Sequence, residues 1–326
     1  MKTTPYRIDV HHHLVPPEYV AALEKMGVTD SLGRAFPAWS ARGSLDVMDA
    51  NGIKAAVTGL SSPGVYFGDA DRAAGLARLC NEASARLVAD RPGRFGAFAT
   101  LGLPDVAASL RELEYSLDTL KLDGVALLSN YDGRYLGDPG FGELYAELNE
   151  RNAVVYVHPT TPAGGNPLGR EVPTFLMEVT FDTTRAIFNL IFQGVVERYP
   201  GIQWIFSHAG GVMPYIAWRV SLGQFILPDA VRTAPRGAWH YLGKLFYDTG
   251  LSANPHALRS LQELVAPSQI LFGTDYPFAP EILTTETVNG LHAYDGFPPE
   301  ALAAIEYGNA LRLFPRFRKF YDPPVT

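Results

Sequence analysis

The stretch Ile8-Asp9-Val10-His11-His12-His13 is a short apolar run that ends in three consecutive histidines. Side chains alternate along an extended chain, so we expect His11 and His13 on one side of a strand and His12 on the other. Two imidazoles with this spacing at the carboxyl end of a strand are typical of a rigid pair of metal ligands. The apolar flanks, including Leu14-Val15-Pro16-Pro17, argue against an expression tag. An incidental surface cluster is the alternative that this motif alone leaves open.

Apolar runs like this first one recur along the chain and alternate with longer segments of helical period. Eight of them are predicted strands, at residues 6–10, 53–59, 95–100, 124–128, 154–157, 203–206, 245–248 and 270–272. Their continuous rather than alternating hydrophobicity is typical of parallel strands that are covered on both faces. The amphipathic segments between them predict helices at residues 70–90, 106–120, 141–151 and 183–199.

This alternation predicts an α/β fold, a TIM-type (β/α)8 barrel that forms a single domain over residues 1–326. A doubly wound open sheet is the alternative. Loops at about residues 14–50 and 160–182 are expected to shape a pocket. The tail at residues 314–323, rich in aromatic residues and arginine, is expected to cover either a partner or the barrel itself.

The composition limits the classes of partner. Of the 326 residues, 47% are hydrophobic and 19% are charged, which provides for a large core and argues against disorder. The net charge is −7 and the sequence has no basic run, so a nucleic-acid surface is not expected. No stretch approaches the roughly 18 apolar residues of a membrane span. Cys80 is the only cysteine, which excludes an intrachain disulfide and favours a cytoplasmic protein.

Two more histidines follow predicted strands. His158 comes directly after the strand at 154–157, and His208 comes after the strand at 203–206 and Ser207. A single histidine after a strand is more often structural than functional. In a barrel, however, the carboxyl ends of all strands meet at the face that carries the active site. We therefore expect His158 and His208 to lie near His11 and His13.

An acidic residue, Asp275, follows the last predicted strand. Such a residue can simply cap the next helix. Since several histidines are expected at the same face, Asp275 is interpreted as an anionic metal ligand. A set of three histidines and one aspartate leaves a coordination position for water or substrate, as a catalytic site requires. The remaining histidines are interpreted as structural or surface residues: His12, His240, His256 and His292.

At this point the sequence resembles the amidohydrolase superfamily. The resemblance rests on Asp9-Val10-His11-His12-His13, Val157-His158-Pro159, Ser207-His208-Ala209-Gly210-Gly211 and Gly273-Thr274-Asp275-Tyr276-Pro277, with Trp39, residues 48–53 and residues 181–186. These motifs are similar to the branch that contains aminocarboxymuconate-semialdehyde decarboxylase, resorcylate decarboxylase and salicylate-type decarboxylases. The resemblance covers nearly the whole chain.

The resemblance implies a role for each motif residue. One divalent metal would be held by His11, His13, His158 and Asp275. A His-x-His motif favours zinc, with manganese as the alternative, and no organic cofactor is expected. His208 matches a histidine outside the ligand set that orients or deprotonates the reactive water. Arg219 matches an arginine that reaches a substrate carboxylate, in some members across a dimer interface; the alternative is a solvated helix arginine. Binuclear members of the superfamily need a lysine at the end of strand four to bridge their two metals. Residues 127–130 contain no lysine, so a site for a single metal is expected.

The implied activity is metal-dependent, non-oxidative decarboxylation of a small aromatic or unsaturated carboxylic acid, of the ortho-hydroxybenzoate or muconate-semialdehyde type. Asp275, or a water assisted by His208, would deliver a proton to the carbon that bears the carboxylate. Hydrolysis of a lactone, ester or amide is the alternative, although Arg219 favours an anionic substrate. A noncatalytic metal-binding barrel is the second alternative. A homo-oligomer, either a dimer or a tetramer, is also implied.

Overall fold

Eight short parallel strands form one sheet in the computed structural model, which describes residues 6–169, 171–226 and 229–321. The strands are β1 Arg7–His13, β2 Ile53–Gly59, β3 Phe95–Thr100, β4 Gly124–Leu128, β5 Val154–His158, β6 Gln203–Phe206, β7 Phe246–Asp248 and β8 Ile270–Leu271. Their order in the sheet follows their order in the chain.

The sheet closes because the chain around β8 pairs with β1. The amide of Val10 donates to the carbonyl of Phe272 at 2.9 Å, and the amide of Asp275 donates to the carbonyl of His11 at 2.7 Å. The predicted (β/α)8 barrel is therefore confirmed. The doubly wound alternative is excluded, since the strand order of an open sheet reverses at a switch point.

Helices surround this barrel. In chain order, the helices of the described residues are α1 Pro17–Glu24, α2 Ala41–Ala50, α3 Ala70–Asp90, α4 Val106–Glu114, α5 Gly142–Glu150, α6 Glu178–Phe192, α7 Val195–Arg198, α8 Met213–Ser221, α9 Gly223–Ile226, α10 Ala230–Thr233, α11 Ala238–Leu242, α12 Pro255–Leu264, α13 Glu281–Ala293, α14 Pro299–Ala303 and α15 Asn309–Leu313. Two small hairpins pair Asp30–Ser31 with Arg34–Ala35 and Asn130–Tyr131 with Arg134–Tyr135. None of the described helices is both long and apolar enough to span a bilayer.

Most element boundaries lie within one residue of the predictions, and the larger differences fall in four places. Strand β1 continues to His13, so the three histidines belong to the strand itself. The helix predicted at 106–120 ends at Glu114 and continues as a π-helical turn, Tyr115–Thr119. The helix predicted at 183–199 begins earlier and is interrupted, because Gly194 adopts a φ of 73° between α6 and α7. The region predicted as a loop at 14–50 contains α1 and α2.

The interior of the barrel is filled by apolar side chains and sealed at the amino-terminal end of the strands by the C-terminal tail. The rings of Phe98 and Tyr156 stack at 5.3 Å inside the barrel, and Phe314 contacts Phe98 edge-on at 5.8 Å. Phe317 is also buried in this cluster. Residues 314–321 of the tail therefore cover the chain's own barrel, while residues 322–323 of the predicted segment lie outside the described residues.

Candidate metal centre

The carboxyl ends of the barrel strands carry a cluster of buried polar side chains. His11 and His13 come from β1, His158 ends β5, and Asp275 follows β8. One ligand atom from each of these four residues lies within 4.8 Å of the others. The structure thus brings together the four residues that the sequence predicts as ligands. His12 faces the opposite side of β1, where its ring nitrogens contact Asp9 and Ser44 at 3.0 Å.

Backbone carbonyls orient the imidazole rings. Nδ1 of His13 contacts the carbonyl of Gly59 at 3.1 Å, and Nδ1 of His158 contacts the carbonyl of Pro159 at 2.8 Å. A carbonyl only accepts hydrogen bonds, so both Nδ1 atoms carry hydrogen and both Nε2 atoms present a lone pair. Burial, together with His13 and His11, holds the pKa of His158 well below its ordinary value, which keeps the ring neutral. These are the tautomers that metal ligation requires.

Asp275 supplies the negative charge of the cluster. Its Oδ1 lies 3.1 Å from Nε2 of His11, 2.8 Å from Nε2 of His13 and 4.0 Å from Nε2 of His158. Burial raises the pKa of this carboxyl, but His11 and His13 outweigh burial and hold the pKa of Asp275 well below its ordinary value. The side chain is therefore an anionic carboxylate whose Oδ1 points at all three rings.

A second carboxylate, Asp248 at the end of β7, holds His11 from the other side. Its Oδ2 lies 2.9 Å from Nδ1 of His11 and accepts a hydrogen bond from the Tyr156 hydroxyl at 3.0 Å. Its Oδ1 accepts the backbone N–H groups of His208 at 3.0 Å and Gly250 at 2.8 Å. Such carboxylate contacts fix the tautomer and orientation of metal-binding histidines. Sequence reasoning missed Asp248, although it ends the strand predicted at 245–248, as the histidines end theirs.

His208 lies beside the ligand cluster and is not one of the four grouped residues. Its ring centroid is 4.8 Å from that of His11 and 5.7 Å from that of His158. Nδ1 contacts the carbonyl of Gly250 at 3.0 Å and so carries the hydrogen. Burial, together with His11, holds the pKa of His208 below its ordinary value. The neutral ring therefore offers Nε2 as a proton acceptor.

The backbone at these functional residues is strained. His208, Ala209 and Asp275 adopt φ values of 53°, 56° and 67°, in the left-handed region that residues with a side chain rarely populate. Gly250 is required for a different reason, because a Cβ atom there would lie 2.6 Å from Nδ1 of His11. Strained backbone of this kind persists where the surroundings hold it, and it clusters at active sites.

A cavity of about 290 Å3 opens above the cluster, close to the lower limit for small-molecule sites of roughly 300 Å3. His158, His208 and Asp275 line its floor. Its walls are mostly apolar and come from the hairpin after β1, the region between β5 and α6, the first turn of α6, the turn after β7, the loop after β8 and the start of α13. The apolar lining residues are Leu32, Phe175, Leu176, Val179, Leu251, Phe278, Ala279 and Leu283. The predicted pocket-shaping roles of the loops at 14–50 and 160–182 fit this lining but remain predictions.

Two arginines differ in their relation to this cavity. Among the described residues that line it, Arg34 is the only lysine or arginine. Its guanidinium donates to the carbonyl of Phe278 at 3.1 Å and lies 5.1 Å from the Phe175 ring. Sequence reasoning missed Arg34, because no local pattern marks it. Arg219, the arginine that the sequence predicts, lies on the exposed side of α8 and outside the cavity lining.

The residues of the cluster fit a divalent metal. Nε2 of His158 is buried and lacks a hydrogen-bond partner among the described residues. The Nε2 atoms of His11 and His13 are 3.2 Å apart, so two of the imidazole donors converge on one point. Burial lowers the pKa of His11, but Asp248 and Asp275 outweigh burial and raise this pKa to about 10, so the pocket favours a positive charge at its centre. Three imidazole nitrogens and one carboxylate oxygen suit zinc or manganese.

The barrel and this centre define a class, the metal-binding (β/α)8 barrels whose active site lies at the carboxyl ends of the strands. The sequence model of the amidohydrolase family matches residues 8–316, nearly the whole length, and the chain belongs to this family. The superfamily membership predicted from the motifs is confirmed.

The relatives of the chain include several decarboxylases. The 6-methylsalicylic acid decarboxylase of Penicillium expansum is 35% identical over 320 residues, which cover 97% of this chain and 98% of that protein. The gamma-resorcylate decarboxylase of a Rhizobium species is 28% identical over 290 residues, covering 83% of this chain and 85% of that protein. The solved structure of 5-carboxyvanillate decarboxylase from Novosphingobium aromaticivorans, complexed with manganese and 4-hydroxy-3-methoxy-5-nitrobenzoic acid, has the same fold. Its TM-score is 0.83 at 23% identity, with coverage of 95% of this chain and 96% of that chain.

Proposed function

We propose that the chain is a carboxy-lyase, which removes carbon dioxide without oxidation from a small aromatic carboxylic acid with a hydroxyl group beside the carboxylate. The observation that carries the proposal is a buried cluster of three histidines and one aspartate that opens into an apolar, ring-sized cavity. The relatives named above support decarboxylation over the hydrolytic alternative.

The cavity favours an alkyl-substituted 2-hydroxybenzoate. Leu32, Phe175, Val179 and Leu283 provide apolar contacts for an alkyl substituent on the ring. The ring of Phe278 stands edge-on to His13 at 5.3 Å, which brings an aromatic wall close to the ligand cluster. The substrate named for the Penicillium relative, 6-methylsalicylic acid, belongs to this chemical class.

We propose zinc as the metal, with manganese as the alternative, and His11, His13, His158 and Asp275 as its ligands. When bound, the metal would act as a Lewis acid toward the carboxylate and hydroxyl oxygens of the substrate. Arg34 provides a cation at the cavity for the anionic substrate. A reducing, cytoplasmic location remains a prediction from the single cysteine, which is buried.

Asp275 and His208 are the candidates for moving the proton. Decarboxylation replaces the bond between the ring carbon and the carboxylate by a bond to hydrogen, so one proton must reach that carbon. Asp275 is ionised and His208 is neutral, so each must accept a proton, from the substrate hydroxyl or from water, before delivering it. The contacts of Asp275 with the histidines all involve Oδ1, which leaves Oδ2 for the proton.

A homodimer would explain the position of Arg219. The surrounding surface of α8 and α9 is strongly apolar, with Tyr215 86% exposed, Trp218 68% exposed and Phe225 76% exposed. Patches of this kind mark protein interfaces. We propose that a second copy of the chain covers this surface and that Arg219 then approaches the cavity of the partner.

Substrate panels test the proposed reaction. The metal-loaded protein is incubated with 2-hydroxybenzoates that carry hydrogen, methyl or hydroxyl at position six, and carbon dioxide is measured. A parallel panel contains lactones and aryl esters. Release of carbon dioxide, fastest with the methyl compound, is expected. Turnover of the second panel alone would contradict the proposal in favour of the hydrolase alternative, and turnover of neither panel would favour the noncatalytic alternative.

Two arginine variants test the cationic contacts. Arg34→Ala is expected to raise KM for the carboxylic acid, while Arg42→Ala, which removes an exposed arginine on α2 paired with Asp46, serves as the control for charge. For the interface, Trp218→Asp is expected to convert a dimer into a monomer in light scattering. If Arg219 acts across the interface, the Trp218→Asp monomer is inactive. The Arg219→Ala protein is then also inactive, although it remains a dimer. A fully active monomer would contradict that role.

A further inference from the structure

Asp182, on α6, is a fully buried carboxyl group that the proposed reaction does not use. Its oxygens accept hydrogen bonds from the Tyr135 hydroxyl at 2.6 Å, the Asn130 amide at 3.2 Å and the Thr160 backbone N–H at 3.1 Å. The Ser129 hydroxyl also donates to it. Four donors therefore converge on a single side chain, three of them from residues 129–135 after β4 and one from Thr160 after β5.

These four partners are all neutral. A buried carboxyl group without a cationic partner is costly to maintain unless hydrogen bonds satisfy it. An apolar side chain at this position of α6 would leave the four donors without this acceptor. The role of Asp182 can therefore be inferred from the two parts of the structure that its hydrogen bonds connect.

The first structure that Asp182 joins is the segment that carries a metal ligand. Thr160 lies two residues after His158, and its N–H donates both to Asp182 and, at 3.2 Å, to the hydroxyl of Ser129. The backbone N–H of Ser129 donates to the carbonyl of His158 at 2.9 Å. Asp182 thus holds the end of β4 against the end of β5. Both of its contacts there adjoin His158, because Ser129 bonds the His158 carbonyl and Thr160 follows His158 by two residues.

The second structure is the wall of the cavity. The hydroxyl of Thr160 is hydrogen-bonded to that of Ser62 at 3.0 Å, and the carbonyl of Ser62 accepts the hydroxyl of Ser31 at 2.6 Å. Ser31 lines the cavity, and so do Val179 and Thr180, which lie just before Asp182 on α6. Hydrogen bonds made by different atoms of Thr160 and Ser62 therefore link Asp182 to the hairpin after β1.

We propose that Asp182 is a positioning residue, which sets the location of His158 in the metal centre and of the cavity wall formed by Ser31 and the first turn of α6. The inference rests on the proposed metal site, but not on the identity of the substrate. It assigns Asp182 an effect on metal affinity that a residue needed only for folding would not have.

The test compares Asp182→Asn with Glu112→Gln. Glu112 is a buried carboxyl group of α4 that pairs with Arg78 and Asn81, away from the metal centre. In Asp182→Asn, the negative charge is lost and one oxygen acceptor becomes an N–H donor, so the hydrogen bonds that hold the ends of β4 and β5 together are weakened. Metal affinity is measured by competition of a chromogenic chelator with zinc and, separately, with manganese, beside thermal unfolding of the metal-free proteins.

Both variants are expected to lower Tm, and only Asp182→Asn is expected to raise the Kd of the metal, by about 10-fold or more, as for other residues that support a ligand. An unchanged Kd in Asp182→Asn would overturn the inference. If that variant does not fold, Ser129→Ala removes the hydroxyl that joins Asp182 to the Thr160 backbone N–H, and an unchanged Kd in Ser129→Ala would also overturn the inference.

The same measurement separates this inference from the proposed function. A wild-type protein that binds metal but releases no carbon dioxide contradicts the proposed reaction alone, and the comparison of Kd values still decides the role of Asp182. A wild-type protein that binds neither metal contradicts both.

Discussion

Replacing Asp248 by Asn tests how strongly a carboxylate behind a ligand controls the metal centre. The substituted side chain keeps one carbonyl oxygen, which the backbone N–H groups of His208 and Gly250 both require. Its amide nitrogen must then face Nδ1 of His11, which now lies 2.9 Å from Oδ2 of Asp248. Because an amide N–H only donates, the neutral form of His11, which binds the metal, then carries its hydrogen on Nε2 rather than on Nδ1.

The expected magnitude follows from this change of tautomer. With the hydrogen on Nε2, His11 loses the lone pair that faces His13 and Asp275. Substitution of a residue that hydrogen-bonds a metal ligand costs about 10- to 100-fold in metal affinity. We expect the upper end, about 100-fold or ~2.7 kcal/mol, because Asn removes the negative charge and places a hydrogen-bond donor where Asp248 offers an acceptor to His11. The Tyr156 hydroxyl also loses its acceptor.

Chelator competition with zinc at neutral pH measures this loss. The matched control is Glu306→Gln, which alters a buried carboxylate paired with Arg7 at the opposite end of the barrel and leaves the centre untouched. Asp248→Asn is expected to weaken metal binding, and Glu306→Gln is expected to lower stability alone. If the two variants bind zinc as tightly as the wild type does, the orienting role of Asp248 is refuted.

Three further predictions concern single substitutions. Asp275→Ala removes the proposed anionic ligand and proton-transfer group, so both metal binding and carbon dioxide release should be lost; retained release of carbon dioxide would contradict the proposed site. Gly250→Ala places a Cβ 2.6 Å from Nδ1 of His11, so it should weaken metal binding in chelator competition, whereas an unaltered Kd would show that the ring can move aside. Phe317→Ala empties part of the sealed end of the barrel and should cost about 3–5 kcal/mol in urea unfolding, with metal affinity unchanged; a change in Kd would mean that the two ends are coupled.

Much of the barrel could be predicted because its strands are buried on both faces. Continuous apolar runs mark such strands wherever they occur, and all eight predicted runs overlap observed strands. The errors in helices arise from local geometry. Gly194, for example, takes a positive φ that an apolar period across 183–199 cannot reveal.

The metal ligands could be predicted for a related reason. A barrel gathers the carboxyl ends of its strands, so His11, His158 and Asp275 are neighbours in space although far apart in sequence. Asp248 also lies at the carboxyl end of a strand. It was not predicted because aspartate is common wherever a strand passes into a turn, so its position alone does not indicate a functional role. Asp182 and Arg34 could not be found in this way, because helix packing and loop packing bring them to the site.

The orientation of α8 illustrates the same limit. The family resemblance singles out Arg219, but the sequence does not say which face of the helix turns toward the barrel. In the structure that face carries Met213 and Ala217, which are buried, and Arg219 is on the exposed side. Only a contact from a second subunit would bring this arginine to a substrate.

The central claim is that this centre protonates the carbon that bears the carboxylate and releases carbon dioxide from it. The most direct measurement runs the reaction of the metal-loaded protein with 6-methylsalicylate in deuterated water and analyses both products by mass spectrometry. The account predicts equimolar carbon dioxide and a cresol that carries a single deuterium at the position of the lost carboxylate, with neither product formed by Asp275→Ala. Recovery of the acid unchanged, beside hydrolysis of an ester or lactone by the same preparation, would contradict it.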